Sequence, residues 1–198
     1  MNFINCNGLA VHYKWIDNKK AKTFLFINSL GTDYRIWDGV VDQLQEYGNM
    51  LLFDKRGHGL SDTAVETKGV EDFTEDVWLL LNQLAIKSCI VVGLSVGGII
   101  AQLLAHYHPA TVEKLILCDT RHKIGLADLW NNRISQIRTV GLKGIADDVM
   151  KRWFPPFFHA EQPVIVQGCK NMLERCDVKG YVQTCEAIRD ADTTEIAK

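Results

Sequence analysis

The amino-acid sequence predicts an α/β fold, in which a mostly parallel sheet carries helices on both faces and a block of helices caps it. Two observations lead to this prediction. Between residues 23 and 118, short apolar runs alternate with helical patterns, as in repeated β-α-β units. From about Arg121 onward the strand-like alternation stops and only helical patterns remain. The 198 residues, 47% of them hydrophobic, are enough to bury one sizeable core.

The first elements are predicted to form a hairpin. Residues 2–6 and 9–15 read as short strands, and Asn7-Gly8 between them tolerates the positive φ of a tight turn. The run TFLFIN (23–28) has the apolar character of a central strand that is covered on both faces. A helix over 34–47 and a strand in NMLLFDKRGHGLSD follow, which completes a first parallel unit.

The middle of the chain repeats this arrangement. Apolar side chains at helical spacing over 72–84 predict a helix that packs on the sheet. SCIVVGL predicts the next strand, VGGIIAQLLAHY a helix ended by Pro109, and VEKLILCD a further strand. The later helical candidates cover 126–139, 142–153, 161–175 and 180–188. We therefore expect a core over 1–120 and a helical cap over 121–190.

Composition and charge exclude several classes of function. A net charge of −2 and a pI near 6.3 offer no basic field for nucleic acid. The N-terminal residues have neither a signal-peptide pattern nor an apolar run that could span a bilayer, so we expect a soluble cytoplasmic protein. The six cysteines are scattered without a C-x-x-C pair, which favours buried free thiols over a disulfide or metal framework.

One serine lies between two glycines at the junction of a predicted strand and a predicted helix. Gly93-Leu94-Ser95-Val96-Gly97 fits G-x-S-x-G, the nucleophile elbow, in which a sharp turn exposes the serine hydroxyl at the sheet edge. The flanking positions must lack bulk because the turn is tight and strained. The pattern alone is weak, but its setting between apolar segments favours a nucleophile over a structural turn serine.

Two backbone amides are candidates for stabilising an oxyanion. The N–H of Val96 opens the helix after Ser95, where the helix dipole favours negative charge. The N–H of Leu30 lies in the loop NSLGTDYRIW, which follows the predicted strand TFLFIN. A plain β-turn over residues 29–32 would have the same sequence. His58, between two glycines, is interpreted as folding its loop rather than as a catalytic base, and no other histidine has the placement of a triad member.

Four segments of the sequence can be compared with a known family: INSLGTDYRIWD, LLFDKRGHGLSD, VVGLSVGGIIAQLLAHYHP and LILCDT. Together they resemble the α/β-hydrolase superfamily and, within it, the 3-oxoadipate enol-lactonase family. KIGLADLWNNRI, RWFPPFF and AIRDAD extend the resemblance through the cap. It implies an α/β-hydrolase fold and a bacterial serine hydrolase. The reaction it implies is cleavage of 3-oxoadipate enol-lactone to 3-oxoadipate in the β-ketoadipate pathway of aromatic degradation, with no metal or organic cofactor.

The resemblance also assigns roles to residues. Ser95 is the nucleophile, and Leu30 and Val96 supply the oxyanion-hole amides. In that family the catalytic acid and histidine follow the cap, whereas this sequence reaches TTEIAK about where the next strand begins. Residues 191–198 are therefore expected to start a return to the core, with the last two strands, their helices, the catalytic aspartate and the histidine absent. Asp119, where some relatives place their acid, has no suitable histidine beside it.

The substrate implied by the resemblance carries a free carboxylate, so we expect a cation with apolar walls in the cap. Trp130 and Arg133 lie three residues apart on one predicted helical face, with Arg133 as the cation and Trp153 as a further wall. A second interpretation is equally open, in which the tryptophans only pack within the cap and Arg133 is exposed to solvent. The other candidates for the cation that binds the carboxylate are Arg121, Lys123 and Arg138.

Two other classes of function stay open. One is a different esterase or lactonase activity on the same fold. The other is a non-catalytic binding protein or inert fragment, which the missing histidine favours. Missing strands also predict an exposed sheet edge, and with it self-association or pairing with a complementing C-terminal segment.

Overall fold

A computed structural model describes residues 1–197 and contains one six-stranded sheet with the strand order β1-β2-β4-β3-β5-β6. The first two strands form an antiparallel hairpin, and β2 also pairs antiparallel with β4. The pairs β3–β4, β3–β5 and β5–β6 are parallel, as predicted. The strands are β1 (Asn2–Cys6), β2 (Leu9–Ile16), β3 (Thr23–Ile27), β4 (Asn49–Phe53), β5 (Cys89–Leu94) and β6 (Val112–Cys118).

The central strands separate two apolar cores, because successive side chains of a strand point to opposite faces. On β3, Leu25 and Ile27 pack into the larger core, whereas Phe24 and Phe26 pack into the smaller one. Helices α2 (Val70–Gln83) and α3 (Val96–Tyr107) cover the larger core, and α1 (Asp38–Leu44) covers the smaller one. The predicted helices on both faces are therefore confirmed.

The observed helices differ from the predicted ones in two places. The segment 34–47 is divided into a 3-10 turn (Tyr34–Trp37) and α1, because Asp33 caps the turn by accepting a hydrogen bond from the Arg35 amide. The cap contains one helix that was not predicted, α5 (Pro156–Glu161), which starts at a proline whose missing N–H costs nothing there. The remaining cap helices are α4 (Ala127–Trp153), α6 (Pro163–Glu174) and α7 (Val178–Asp190).

Gly141 explains why two helical candidates were predicted where α4 runs as one segment. Its backbone has φ 68° and ψ −179°, so it breaks the helix between residues 140 and 142. No atom lies near the position of a Cβ at Gly141, so the kink reflects backbone conformation rather than crowding. The two arms of α4 therefore meet at an angle, and side chains from both line a common cavity.

Strand β6 forms one edge of the sheet and is exposed on both faces. Leu115, Ile116 and Leu117 are 37%, 43% and 45% exposed, although they are consecutive and therefore alternate between the faces. Among residues 1–197, no helix has the length and apolar character needed to cross a bilayer. All six cysteines are free thiols, four of them buried.

Candidate active site

Ser95 lies in a strained turn between β5 and α3. Its backbone has φ 57° and ψ −118°, a sparsely populated region for any residue other than glycine. The turn is held from β6, because the Ser95 amide donates to the Cys118 carbonyl at 3.0 Å and the Thr120 hydroxyl donates to the Ser95 carbonyl at 2.7 Å. The serine side chain remains partly exposed. This is the geometry that the G-x-S-x-G pattern predicts.

The glycines around Ser95 are required by close backbone contacts. A Cβ on Gly93 would lie 2.7 Å from the Gly97 carbonyl carbon, and one on Gly97 would lie 2.8 Å from the Ile27 carbonyl carbon. A Cβ on Gly98 would lie 2.5 Å from the Thr120 side chain. The first turn of α3 can therefore pack against the ends of β3 and β5 and against Thr120 only while these positions lack side chains.

The two predicted oxyanion donors lie at this junction. Val96 is the first residue of α3, and Leu30 lies in the loop that starts where Ile27 and Asn28 contact Gly97. Both side chains are buried in the larger core. Within residues 1–197, neither the Leu30 nor the Val96 amide N–H is among those that donate to loop, turn or cap carbonyls. We call residues 28–32 the oxyanion loop.

The oxyanion loop is held from behind by the glycine-rich loop that follows β4. His58 is fully buried, and its Nε2 accepts the Gly31 N–H at 3.0 Å while Nδ1 donates to the Arg56 carbonyl at 3.1 Å. Burial, followed by the nearby Lys55 charge, lowers the pKa of His58 well below its usual value, which agrees with this neutral tautomer. His58 therefore folds a loop, as the sequence suggested, rather than serving as a base.

No base contacts the nucleophile within the part of the chain that the structure describes. The Ser95 hydroxyl forms no hydrogen bond there, and three histidines besides His58 have partners elsewhere: His12 bonds Asp54, His108 stacks on Trp78, and His159 bonds the Met150 carbonyl. Asp119 is exposed, with φ 42°, and no ion pair joins it to a histidine. In residues 1–197, no group of three His, Cys, Asp or Glu side chains is placed to hold a metal ion.

The cap residues predicted to bind substrate are not brought into a common cavity with Ser95. Arg133 lines a cavity of about 630 Å³ whose walls come from α4 alone. Trp130 donates its indole N–H to the Ile124 carbonyl at 2.6 Å, and Trp153 packs against the larger core. One observation favours a ligand at Arg133: its Nη1 is buried and has no hydrogen-bond partner in the described residues.

Sequence reasoning missed two residues that support the site. Thr120 anchors the turn at Ser95 through its hydroxyl, and Lys55 lies buried against the oxyanion loop. No pattern in the sequence indicates that either residue supports the turn or the loop. A threonine after a strand is common, and a lysine is normally exposed.

Comparisons with known proteins agree with this geometry. A family model described as the α/β-hydrolase fold matches residues 22–140. The chain is 32% identical to 3-oxoadipate enol-lactonase 2 of Acinetobacter baylyi, over 96% of this chain and 71% of that protein. It is 30% identical to 3-oxoadipate enol-lactonase 1 of the same organism, over 89% of this chain and 66% of that protein.

Solved structures give the same result. The enol-lactonase of Burkholderia xenovorans superposes with a TM-score of 0.96 and 33% identity, covering 99% of this chain and 76% of that one. A thermophilic esterase of Thermogutta terrifontis superposes with a TM-score of 0.89 at 19% identity, which is a likeness of fold alone. The chain therefore spans about two thirds to three quarters of the length of these enol-lactonases.

Proposed function

Because the chain belongs to the 3-oxoadipate enol-lactonase family of α/β hydrolases, we propose that it opens 3-oxoadipate enol-lactone to 3-oxoadipate with Ser95 as nucleophile. Ester or lactone hydrolysis is the activity class that the family shares. We place the reaction in the β-ketoadipate pathway of aromatic degradation, in the bacterial cytoplasm. The observation that carries the assignment is the strained Ser95 turn at the start of α3, with its hydroxyl free.

The proposed reaction runs through an acyl-enzyme. The Ser95 oxygen attacks the lactone carbonyl carbon while a histidine takes the hydroxyl proton. The Leu30 and Val96 amides donate to the oxyanion of the tetrahedral intermediate. The ring C–O bond then breaks, and the enol oxygen takes the proton from the histidine. The enol then tautomerises to a ketone. Water, activated by the same histidine, attacks the acyl carbon and releases the dicarboxylate and free Ser95.

Within one copy of the chain, residues 1–197 place no general base at Ser95. We propose that it comes from another polypeptide segment that pairs with the edge of β6, where Leu115, Ile116 and Leu117 are exposed. The segment is either a complementing one or a second copy of this chain. If a second copy supplies the general base, the hydrolysis rate per chain should rise with protein concentration. Ile116→Lys should then abolish both the association of the two copies and this concentration dependence.

We propose that Arg133 binds the substrate carboxylate, whereas Trp130 and Trp153 do not line its cavity and pack the cap instead. The buried Nη1 without a partner supports this assignment. Arg133→Met should then raise KM for the carboxylated lactone while leaving KM for a neutral aryl ester unchanged. An equal change for both substrates would mean that Arg133 only supports the cap.

The proposed function is tested by the loss of enol-lactone ultraviolet absorbance with purified chain. Ser95→Ala should lower hydrolysis by about 10⁴-fold or more, since the nucleophile is removed. Ser88→Ala is the matched control, because Ser88 lies at the opposite end of β5 and donates to Glu113. Faster turnover of simple aryl esters would indicate another esterase. Lactone binding without turnover by a folded sample would favour a non-catalytic protein.

A further inference from the structure

A lysine is buried behind the oxyanion loop and outside the proposed site. Lys55 follows β4 and is 1% exposed, and its Nζ donates to the Ser29 carbonyl at 2.5 Å. Lysines are almost never fully buried, because removing an ammonium from water is costly. The position of this charge therefore calls for a reason beyond packing.

The carbonyl that Lys55 contacts belongs to the peptide group that carries the Leu30 N–H. The Ser29 C=O and the Leu30 N–H lie in one plane and point in opposite directions. An ammonium at the oxygen thus fixes the direction of the N–H. It also draws electron density toward the oxygen, which leaves the N–H more positive and a stronger donor.

We propose that Lys55 is a positioning residue for the oxyanion hole, holding and polarising the Ser29–Leu30 peptide so that the Leu30 amide donates more strongly to the oxyanion. The inference rests on the proposed function, in which Leu30 is that donor. His58 completes the arrangement by accepting the Gly31 N–H. The peptide groups on both sides of the Leu30 Cα are therefore held.

A purely structural role explains less of the geometry. The Ser29 carbonyl also accepts hydrogen bonds from Thr32, from the hydroxyl at 2.9 Å and from the amide at 3.4 Å. Without Lys55 this carbonyl would still be hydrogen-bonded, so the loop does not need an ammonium to satisfy it. What Lys55 adds is a charge that is only 1% exposed to solvent, where its effect on the peptide dipole is largest.

The surroundings of Lys55 leave its charge free to change near neutral pH. Burial lowers the pKa of Lys55 to about 7, opposed first by Cys176 and then by the carboxylates of Asp54 and Asp33. Burial also raises the pKa of the Cys176 thiol to about 12. His58 stays neutral for the reason given above. The titratable groups around the ammonium are Asp33, Asp54, His58 and Cys176.

The test reads the Leu30 amide nitrogen by NMR in protein labelled with ¹⁵N-leucine, with the signal assigned through Leu30→Ile. At pH 6, Lys55→Met should move this nitrogen upfield from its wild-type position, and Lys55→Arg should restore it. The Leu94 amide, at the end of β5, serves as the internal control and should stay in place. An unchanged Leu30 nitrogen in a folded Lys55→Met sample would overturn the proposal.

A second measurement needs no variant. Wild-type protein labelled at lysine Cε is titrated until the Cε signal reports that Lys55 has lost its proton. The Leu30 nitrogen should move with the same midpoint, near pH 7. A Lys55 that loses its proton while the Leu30 nitrogen stays fixed would refute the coupling.

The consequence for the reaction is read separately. Lys55→Met should lower kcat about tenfold with KM unchanged, less than the 10²–10³-fold cost of deleting an oxyanion donor. The NMR readout uses no substrate. Absence of Ser95-dependent hydrolysis would therefore refute the proposed function and leave the coupling of Lys55 to Leu30 standing, whereas hydrolysis with an unresponsive Leu30 would refute only the role of Lys55.

Discussion

Replacing Gly97 by alanine tests whether the turn at Ser95 depends on direct backbone contact. The new Cβ would lie 2.8 Å from the Ile27 carbonyl carbon, where ordinary contact begins at 3.4 Å. The Cβ is fixed rigidly to the α3 backbone and meets the backbone of Ile27, so α3 and the end of β3 must separate by about half an ångström or more. Overpacking of this kind costs about 3 kcal/mol, and alanine returns about 1 kcal/mol through helix propensity. We expect a net loss of about 2 kcal/mol.

The assay is thermal unfolding followed by circular dichroism. For a chain of this size, 2 kcal/mol lowers Tm by about 4–8 °C. Gly168→Ala is the matched control, because Gly168 lies in α6 with nothing within 4 Å of a Cβ, so it should stabilise by about 0.5–1 kcal/mol. If Gly97→Ala melts at or above the wild-type temperature, the contact between α3 and β3 is not as close as described.

Two further predictions concern buried charges, alongside the loss of hydrolysis expected for Ser95→Ala. Asp76→Ala should lower the free energy of unfolding in urea by about 3 kcal/mol, because the buried Arg56 loses a carboxylate that it binds at 2.6 and 2.7 Å. Asp148→Ala is the control, because Asp148 is 81% exposed in its ion pair with Lys151, and it should lower the free energy of unfolding by less than about 1 kcal/mol. Between pH 7 and 10.5 the unfolded chain holds the Lys55 proton more tightly than the folded chain, so wild-type stability should rise with pH relative to Lys55→Met. A stability difference that is equal at pH 6 and pH 9 would contradict the lowered pKa of Lys55.

The sequence by itself determined the order of elements and the chemistry of the turn. The hairpin at Asn7-Gly8 follows from residues that accept positive φ, observed at 53° and 84°. The position of Ser95 between a strand and a helix follows from small residues flanked by apolar runs. These features depend on the size and spacing of residues adjacent in the chain, so they can be predicted without knowing which distant residues pack against them.

The tertiary structure alone decided what each segment faces. It buried Lys55 against a carbonyl 26 residues earlier in the chain and lined the Arg133 cavity from α4 alone. Side-chain type predicts neither of these, since a lysine or a leucine has the same local pattern whether a neighbour covers it or not. The strand order brings the loops after β3 and β4 together, and that contact, rather than any motif, places the charge behind the Leu30 amide.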